Sequence, residues 1–406
     1  MEELGKTETG LIGTQLSNRM ENEEYMSRII IDLNSYRHNL QIVKNLVGSN
    51  IRIIAVVKAN AYGHGLVPIA KRAEEWGVNM LAVANIEEGI SLRQNGIKIP
   101  ILILLQPAEE ELPSIIEFRF TPLLSEIEPA QKLSELAMRS KVNVSVHCKI
   151  DTGMGRQGFN MDTAIADLKS IVYLPYIDIE GVATHFPCAD EPDDIFTTNQ
   201  IRIFSKILSD FEQEGIPYEI AHAANSPAVI NFPKSYFDAV RPGLMTYGIW
   251  PTKQKPEKNI LKPILRWEAQ IAQVRRMNAG STIGYGRTFT APYDMDVAIV
   301  PVGYADGFRT QLSNHGEVLI HGVRCPVRGN VSMDQIVVEL KTQRSVKRGD
   351  IAVLIGKDGN EEITVEEMAE RVGTLTYDIL TGIGLRVHRI YINGDSSEIK
   401  EEQENA

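Results

Sequence analysis

The sequence predicts an α/β protein in which an N-terminal closed (β/α)₈ barrel of the TIM type is followed by a C-terminal β-rich domain. Between residues 51 and 247, eight short apolar runs alternate with amphipathic helical stretches. Such alternation is typical of parallel sheets, and eight strands are enough to close a barrel. After Trp250 the helical periodicity largely disappears, and strand-like runs separated by glycine take over.

Each of the eight apolar runs has the length and composition of a buried strand. They cover residues 51–57, 80–84, 101–105, 119–123, 142–150, 177–184, 218–221 and 239–240. The amphipathic stretches include 67–76, 86–94, 129–139 and 199–214, and an extra strand and helix, 28–33 and 35–47, precede the barrel. The competing fold is a doubly wound sheet. It usually carries G-x-G-x-x-G after its first strand, where this chain has Lys58.

The second half of the chain reads as a separate β domain. Its strand-like runs are 267–274, 297–302, 317–320, 323–327, 335–340, 351–355 and 385–391, with one helix, 364–372, capped by Thr364. The predicted organisation is therefore a disordered extension (1–26), the barrel (27–250), a charged linker (251–258), the β domain (259–394) and a disordered acidic tail (395–406).

Composition excludes several classes of function. The chain has 406 residues, a net charge of −11 and a pI of about 5.4, which disfavours a nucleic-acid partner because phosphate backbones need a basic surface. No apolar stretch approaches the ~20 residues of a membrane helix, so we expect no membrane association. The three cysteines have no CxxC spacing, which fits reduced thiols in the cytoplasm. We expect no metal site.

Charged and polar residues follow several of the predicted strands, where the catalytic groups of a (β/α)₈ barrel lie. Lys58 follows the first strand, and partial burial there would lower its pKa and favour Schiff-base chemistry. The alternative is a lysine whose stem packs on the rim while its charge reaches water. The other strand ends carry Lys149 and Arg156, His185, Asn225 and Ser226, and Arg241 with Gly243.

These strand ends suggest an anion site beside an amine. Ser226 lies where a helix should begin, and helix N-termini bind phosphate. Gly243 permits a close approach of backbone N–H groups to an anion. Arg156 and Arg241 are permanent cations. Together with Lys58, these residues are suited to a cofactor that carries both an aldehyde and a phosphate.

The segment 55–65 closely resembles the pyridoxal-phosphate motif of bacterial alanine racemases, which are enzymes of fold type III. Further matches follow in order: 31–33, 37–40, 149–158, 184–186, 225–226, 241–243, 247–248, 284–286, 303–307, 333–335 and 381–384. The resemblance spans residues 28–392, and ordered motifs over two domains are far more specific than one short pattern.

The resemblance implies a role for each matching residue. Lys58 would hold pyridoxal 5′-phosphate as an internal aldimine, Arg241 would face the pyridine nitrogen, and His185 would lie behind the ring. The remaining cofactor contacts, mostly to the phosphate, would come from Tyr62, Asn225, Ser226, Gly243, Leu244 and Tyr377.

The resemblance also implies substrate contacts and a homodimer with shared active sites. Arg156 would lie near the substrate carboxylate, and Met333 and Tyr285 would come from the other subunit. Lys149 matches a lysine that is carbamylated in many family members. The alternative is an ordinary lysine on the barrel rim, which would repel Arg156.

The function implied is the interconversion of L-alanine and D-alanine, which supplies D-alanine for cell-wall peptidoglycan. Removing the α-proton from one face and returning it to the other is simplest with two opposed bases, here Lys58 and Tyr285. Tyrosines matching Tyr304 and Tyr377 narrow the access to the site and favour alanine. The alternatives are a broader-specificity or serine racemase, a decarboxylase of the same barrel type, and a non-catalytic cofactor carrier. The β domain argues against the carrier.

Overall fold

The structure, a computed structural model, describes residues 26–252, 254, 256, 260–342 and 344–393. The chain divides into two compact units. The barrel unit comprises Ile30–Leu265, Leu375–Gly382 and residues 391–393, and the β unit comprises residues 26–29, Arg266–Thr374 and Ile383–Ile390. The predicted tail, all of the predicted extension except Met26, and residues 253, 255, 257 and 258 of the predicted linker lie outside the described residues.

Eight parallel strands close the barrel, which confirms the predicted fold. Strand β1 (Ser27–Asp32) precedes the barrel and is not part of it. The eight barrel strands are β2 (Arg52–Val56), β3 (Met80–Val83), β4 (Ile101–Ile103), β5 (Thr121–Leu124), β6 (Val144–Asp151), β8 (Ile177–Ala183), β9 (Ile220–Asn225) and β10 (Ala239–Arg241). Pairing of β10 with β2 and of β5 with β6 completes the ring, and β7 (Phe159–Asn160) adds to β6.

Strand β9 extends further than the sequence predicts. The run 218–221 predicts a strand that ends before His222, whereas β9 continues to Asn225. The residues 222–225 include two alanines, which have low β propensity, but pairing with β8 and β10 on either side overrides that preference. His222 therefore lies within the barrel wall, not in the loop that follows it.

Helices alternate with the barrel strands. They are α1 (Leu33–Val47), α2 (Leu66–Glu75), α3 (Ile86–Gln94), α4 (Leu112–Glu117), α5 (Ile127–Ser140), α6 (Ala164–Val172), α7 (Ile195–Gln213) and α8 (Ser226–Asn231). In the β unit, α9 (Val365–Val372) begins after the predicted cap, where the Thr364 hydroxyl accepts from the Glu367 N–H. The short helix α10 (Thr376–Thr381) returns to the barrel unit. None of the described helices combines the length and apolar character that a bilayer crossing requires.

The β unit consists mainly of β-strands, as the sequence predicts. They are β11 (Leu265–Gln270), β12 (Gln273–Met277), β13 (Thr282–Ile283), β14 (Phe289–Thr290), β15 (Met295–Val300), β16 (Glu317–Ile320), β17 (Val323–Pro326), β18 (Ile336–Glu339), β19 (Ile351–Asp358), β20 (Glu361–Ile363) and β21 (His388–Ile392). The main sheet has the order β17-β16-β19-β11-β1-β21, and β12-β15-β18 and β13-β14 form smaller sheets. Three of the boundaries between the two units fall within β1, β11 and β21, and the other two lie on either side of α10.

A buried amide ties α1 to the barrel. The Asn39 side chain is fully buried, donates to the carbonyls of Thr246 (3.1 Å) and Lys262 (2.8 Å), and accepts from the Lys262 N–H (2.9 Å). The amide nitrogen and the amide oxygen of this side chain are therefore both hydrogen-bonded to backbone groups. A buried amide in this position stabilises the fold because removing it leaves several polar groups unsatisfied.

We expect Asn39→Ala to destabilise the protein by about 3 kcal/mol, since it leaves one buried N–H and two carbonyls without partners. The unfolding midpoint should fall by roughly 10 °C, at the few degrees per kcal/mol typical of a unit of this size. Asn45→Ala, at an exposed position of the same helix, is the matched control and should change stability by less than about 0.5 kcal/mol. Equal midpoints for the two variants, measured by circular dichroism, would contradict the assignment.

Candidate active site

Lys58 stands at the start of a strained turn directly after β2. Residues 59–62 all adopt left-handed dihedral angles, with φ between 51° and 55°, a conformation that costs about 1–2 kcal/mol for each residue with a side chain. The Glu88 carboxylate accepts from the Asn60 N–H (3.2 Å), and the Asn60 side-chain oxygen accepts from the Leu66 N–H (2.7 Å). The turn that presents Lys58 is therefore held by Glu88 from outside and by the side chain of its own residue Asn60.

The sequence reasoning missed Glu88, which anchors this turn from the first turn of α3. Its other oxygen accepts from the Ala84 N–H (2.9 Å), and the Asn85 side chain caps the same helix by accepting from the Glu88 N–H (3.1 Å). The only signal in the sequence was an acidic residue just after a helix cap, which is common in proteins. Its contact with the Lys58 turn follows from the tertiary structure.

The Lys58 amine lies in a cationic surrounding. Burial lowers its pKa, repulsion by Arg156 and then by Arg241 acts in the same direction, and the Glu88 carboxylate opposes them. A lysine with a lowered pKa is more often neutral, and the neutral amine is the nucleophile. The partly buried position of Lys58 supports the reactive interpretation over that of a rim lysine whose charge reaches water.

The Arg241 guanidinium, 8% exposed, is held from several sides at the end of β10. One terminal nitrogen donates to His222 Nδ1 (2.5 Å) and to the His222 carbonyl (2.8 Å). The other donates to the carbonyls of Thr184 (2.7 Å) and Ala223 (3.0 Å) and contacts His185 Nδ1 at 3.3 Å. Arginine has five N–H donors, and only Nε–H makes no hydrogen bond within the described part of the chain. The Nε–H group of Arg241 can therefore donate a hydrogen bond to a ligand.

The His185 ring lies beside the Arg241 guanidinium. Burial holds the pKa of His185 well below its usual range, and the positive charge of Arg241 acts in the same direction. Its imidazole is therefore neutral at physiological pH. Because the facing guanidinium is a donor, His185 Nδ1 acts as an acceptor in this contact.

The predicted phosphate-binding residues converge around Ser226. The Ser226 hydroxyl oxygen accepts from the N–H groups of Gly243 (2.9 Å) and Met245 (3.3 Å), which leaves its proton to donate to a further acceptor. A Cβ on Gly243 would lie 2.5 Å from the Tyr62 hydroxyl oxygen, so only glycine fits. The rings of Tyr62 and Tyr377 are 5.8 Å apart, although Tyr377 comes from the far end of the chain.

Asn225 and Leu244 complete this cluster. Asn225 is the cap of α8, with its side chain accepting from the Ala228 N–H (3.2 Å), and Ser226 is the first helical residue. Leu244 is buried at the start of the 3₁₀ helix Leu244–Tyr247, and its N–H makes no hydrogen bond among the residues that the structure describes. A hydroxyl proton and a backbone N–H are thus both available for an anion.

Lys149 is a buried amine on β6, 5% exposed, without a hydrogen bond or ion pair in the described ranges. Burial, followed by repulsion from Arg156 and Arg241, lowers its pKa to about 8. This burial disagrees with an ordinary lysine on the barrel rim. A buried amine that loses its proton near neutral pH has the reactivity that carbamylation requires.

Arg156 stands on a loop that Asp151 shapes. The Asp151 carboxylate accepts from the N–H groups of Gly153 (3.0 Å) and Gly155 (2.9 Å). Partial burial acts to raise the pKa of Asp151, but these backbone donors outweigh it and the pKa is lowered. The loop is therefore anchored at its base, while Arg156 itself is exposed.

Tyr285 and Met333 lie in the β unit, where both side chains are largely exposed, at 76% and 52%. Their segments are tied together, since the Asn330 side chain donates to the Tyr285 carbonyl (3.0 Å) and the Ala305 N–H donates to the Met333 carbonyl (3.1 Å). Tyr304, also exposed, belongs to the same cluster through its bond to the Ser332 carbonyl (3.0 Å). The β unit thus exposes the three side chains on segments that are hydrogen-bonded to one another.

Comparison with known proteins gives the family. Residues 31–251 match the model of the alanine racemase N-terminal domain, and residues 264–391 match that of the alanine racemase C-terminal domain. An alanine racemase from Desulforamulus reducens is 40% identical over 364 residues, which cover 89% of this chain and 98% of the relative.

Solved structures agree with the sequence comparison. An alanine racemase from Clostridium difficile 630 superposes with a TM-score of 0.88 at 35% identity and covers 92% of this chain and 97% of its own. An alanine racemase from Bartonella henselae, described with covalently bound pyridoxal phosphate, has a TM-score of 0.83 at 28% identity, over 91% of this chain and 100% of its own. Both family domains are matched in order along the chain, and Lys58 follows the first strand of the barrel. This amino-acid racemase therefore belongs to the alanine racemase family.

Proposed function

We propose that this enzyme interconverts L-alanine and D-alanine with pyridoxal 5′-phosphate held covalently by Lys58. The observation that carries the proposal is the position of the Lys58 amine, which is partly buried and has a pKa lowered by burial and by two arginines. Together with the cluster around Ser226, it provides an amine for the aldehyde and donors for the phosphate.

The described residues fit this cofactor. Tyr62, Ser226, Gly243, Leu244 and Tyr377 would hold the phosphate, with Asn225 fixing the helix start beside it. The remaining Nε–H of Arg241 would donate to the pyridine nitrogen, and His185 would lie behind the ring. When bound, pyridoxal phosphate acidifies the α-hydrogen of an attached amino acid by delocalising the electron pair that the departing proton leaves.

Two bases on opposite faces would move the α-proton. Lys58 serves one face from the barrel, and Tyr285 serves the other. Tyr285 and Met333 stand exposed on the β unit, which supports a homodimer in which each active site takes these residues from the partner subunit. Arg156 would bind the substrate carboxylate, and a carbamylated Lys149 would give that arginine a negative partner.

The product D-alanine would supply peptidoglycan synthesis. The same proposal places the enzyme in the cytoplasm, where the three cysteines of the chain would stay reduced. Assays with separate L-amino acids test the substrate. Alanine should give the highest kcat/KM, and a higher value for serine would favour the broader-specificity alternative.

Tyr285→Phe should lower racemisation in both directions by about 10²- to 10⁴-fold, since it removes one of the two bases. Lys58 still serves its own face, so one enantiomer of alanine should continue to exchange its α-hydrogen with D₂O, as measured by proton NMR. Lys58→Ala is the control and should lose both reactions. The two-base assignment would be wrong if Tyr285→Phe racemised alanine at the wild-type rate, or if both enantiomers exchanged their α-hydrogen at equal rates.

A mixture of Lys58→Ala and Tyr285→Phe subunits tests the shared sites. After denaturation and joint refolding, mixed dimers have one site with both bases intact, so about a quarter of wild-type activity should return. The matched control mixes Lys58→Ala with Arg241→Ala. Both changes fall in the barrel unit, so no site becomes whole. Recovery in the control, or none in the test mixture, would contradict sharing.

Lys149 should form a carbamate in ¹³C-bicarbonate, visible as a carbon NMR signal. The pKa of Lys149 is about 8, so the reactive neutral amine dominates above that pH, and the signal should decline as the pH falls below it. Lys149→Met should abolish the signal, and Lys132→Met, which removes a lysine from the surface of α5, should not. A signal that survives Lys149→Met would assign the carbamate elsewhere.

A further inference from the structure

Two histidines meet inside the barrel, behind Arg241. His147 on β6 and His222 on β9 are both fully buried, and His147 Nδ1 lies 2.7 Å from His222 Nε2. The interior of such a barrel is normally filled by branched apolar side chains. A buried polar pair in this place calls for an explanation, because polar groups removed from water are costly unless each is hydrogen-bonded.

The intervening strand is shaped to let the two rings meet. Strand β8 lies between β6 and β9, and Gly181 of β8 is paired with His147. A Cβ on Gly181 would lie 2.6 Å from atoms of the His147 ring. The absence of a side chain at Gly181 thus provides the space through which His147 reaches His222.

Arg241, His222 and His147 form a row of hydrogen-bonded side chains, and each bond in the row has a single possible direction. Arg241 is only a donor, so His222 Nδ1 must accept and the ring proton of His222 lies on Nε2. His222 Nε2 therefore donates to His147 Nδ1, and the ring proton of His147 lies on Nε2. Burial keeps the pKa of each histidine below its usual value, which agrees with two neutral rings.

The row ends at a carboxylate. His147 Nε2 is 3.4 Å from Glu180 Oε2, long for a hydrogen bond, and has no other partner in the described chain. The pKa of Glu180 is lowered, first by this contact with His147 and further by Arg52, against the effect of burial. Glu180 is partly exposed and lies three residues before Ala183, the partner of His222, hence about 10 Å further from the active-site rim.

We propose that His222, His147 and Glu180 are positioning residues, which hold Arg241 in one orientation. Two hydrogen bonds, from Arg241 to His222 and from His222 to His147, point away from the guanidinium, and the His147 Nε2–H is directed to the Glu180 carboxylate at 3.4 Å. Because the Nη1 donors are occupied, the guanidinium cannot turn, and Nε–H is the donor that faces the site. Hydrogen bonds aligned in one direction reinforce each other. The functional consequence rests on the proposed function, since the group facing Nε–H would be the cofactor ring.

The protonation pattern can be tested without activity. The chain has eight histidines, so the protein labelled with ¹⁵N in the histidine rings should give a tractable long-range proton–nitrogen spectrum. Both His147 and His222 should appear as neutral rings with the proton on Nε2, identified by the signals missing from His147→Phe and His222→Phe. If a variant fails to fold, the conservative variants His147→Gln and His222→Gln provide the same assignment. A charged ring, or a proton on Nδ1, at either histidine of the wild type overturns the proposal.

The effect on Arg241 is measured in the holoenzyme. Glu180→Ala removes the final acceptor and should lower kcat by roughly 10-fold, which is typical when a residue that orients a ligand-binding side chain is lost. The KM for alanine should stay within about twofold, since the row ends at the ring-facing arginine and not at the substrate carboxylate. Glu180→Gln, whose amide oxygen still accepts, should recover most of the kcat.

Asp178→Asn is the matched control, because it removes a carboxylate from an exposed position of the same strand and should leave kcat unchanged. A kcat for Glu180→Ala equal to that of the control would overturn the positioning role, whatever the NMR result. If the wild type fails to racemise any amino acid, the proposed function fails, and the ring spectra still decide whether the row exists.

Discussion

The geometry of the candidate site depends on the buried guanidinium of Arg241. A buried charge is costly unless its donors are matched, and no carboxylate in the described chain contacts this one. Its charge is met instead by three backbone carbonyls and two imidazoles. Those carbonyls belong to the ends of β8 and β9, so one cation at the end of β10 fixes three neighbouring strand ends with respect to each other.

The positive charge of Arg241 also lowers the pKa of the basic side chains around it. Arg241 contributes to the lowered pKa of Lys58, Lys149 and His185, although burial is the largest cause for each. A site that lowers the pKa of its amines and keeps its imidazole neutral, while holding two arginines, attracts anions and raises the fraction of each amine that is in the nucleophilic, neutral form. Phosphate and carboxylate groups are the anions that an amino-acid racemase with pyridoxal phosphate would bring to such a site.

Much of the site was within reach of sequence reasoning because catalytic residues of a barrel follow its strands. Lys58, His185 and Arg241 could be placed in this way, and the family resemblance added Tyr377, which no local pattern connects to Tyr62. Glu88 and His147 escaped because their sequence patterns are ordinary: an acid after a helix cap, and a histidine in an alternating strand. Their contacts depend on which strands and helices become neighbours when the barrel closes.

The sequence by itself determined the two-part architecture, the family and the side chains at the strand ends, because periodicity and ordered motifs are local properties of a chain. Only the tertiary structure decided how these side chains act on one another. It buried Lys149, which lowers the pKa of that amine, and it placed Gly181 where two histidines can meet. It also left Arg241 with one donor that bonds to none of the described residues. Burial, distance and donor direction arise between segments far apart in sequence, so no local pattern encodes them.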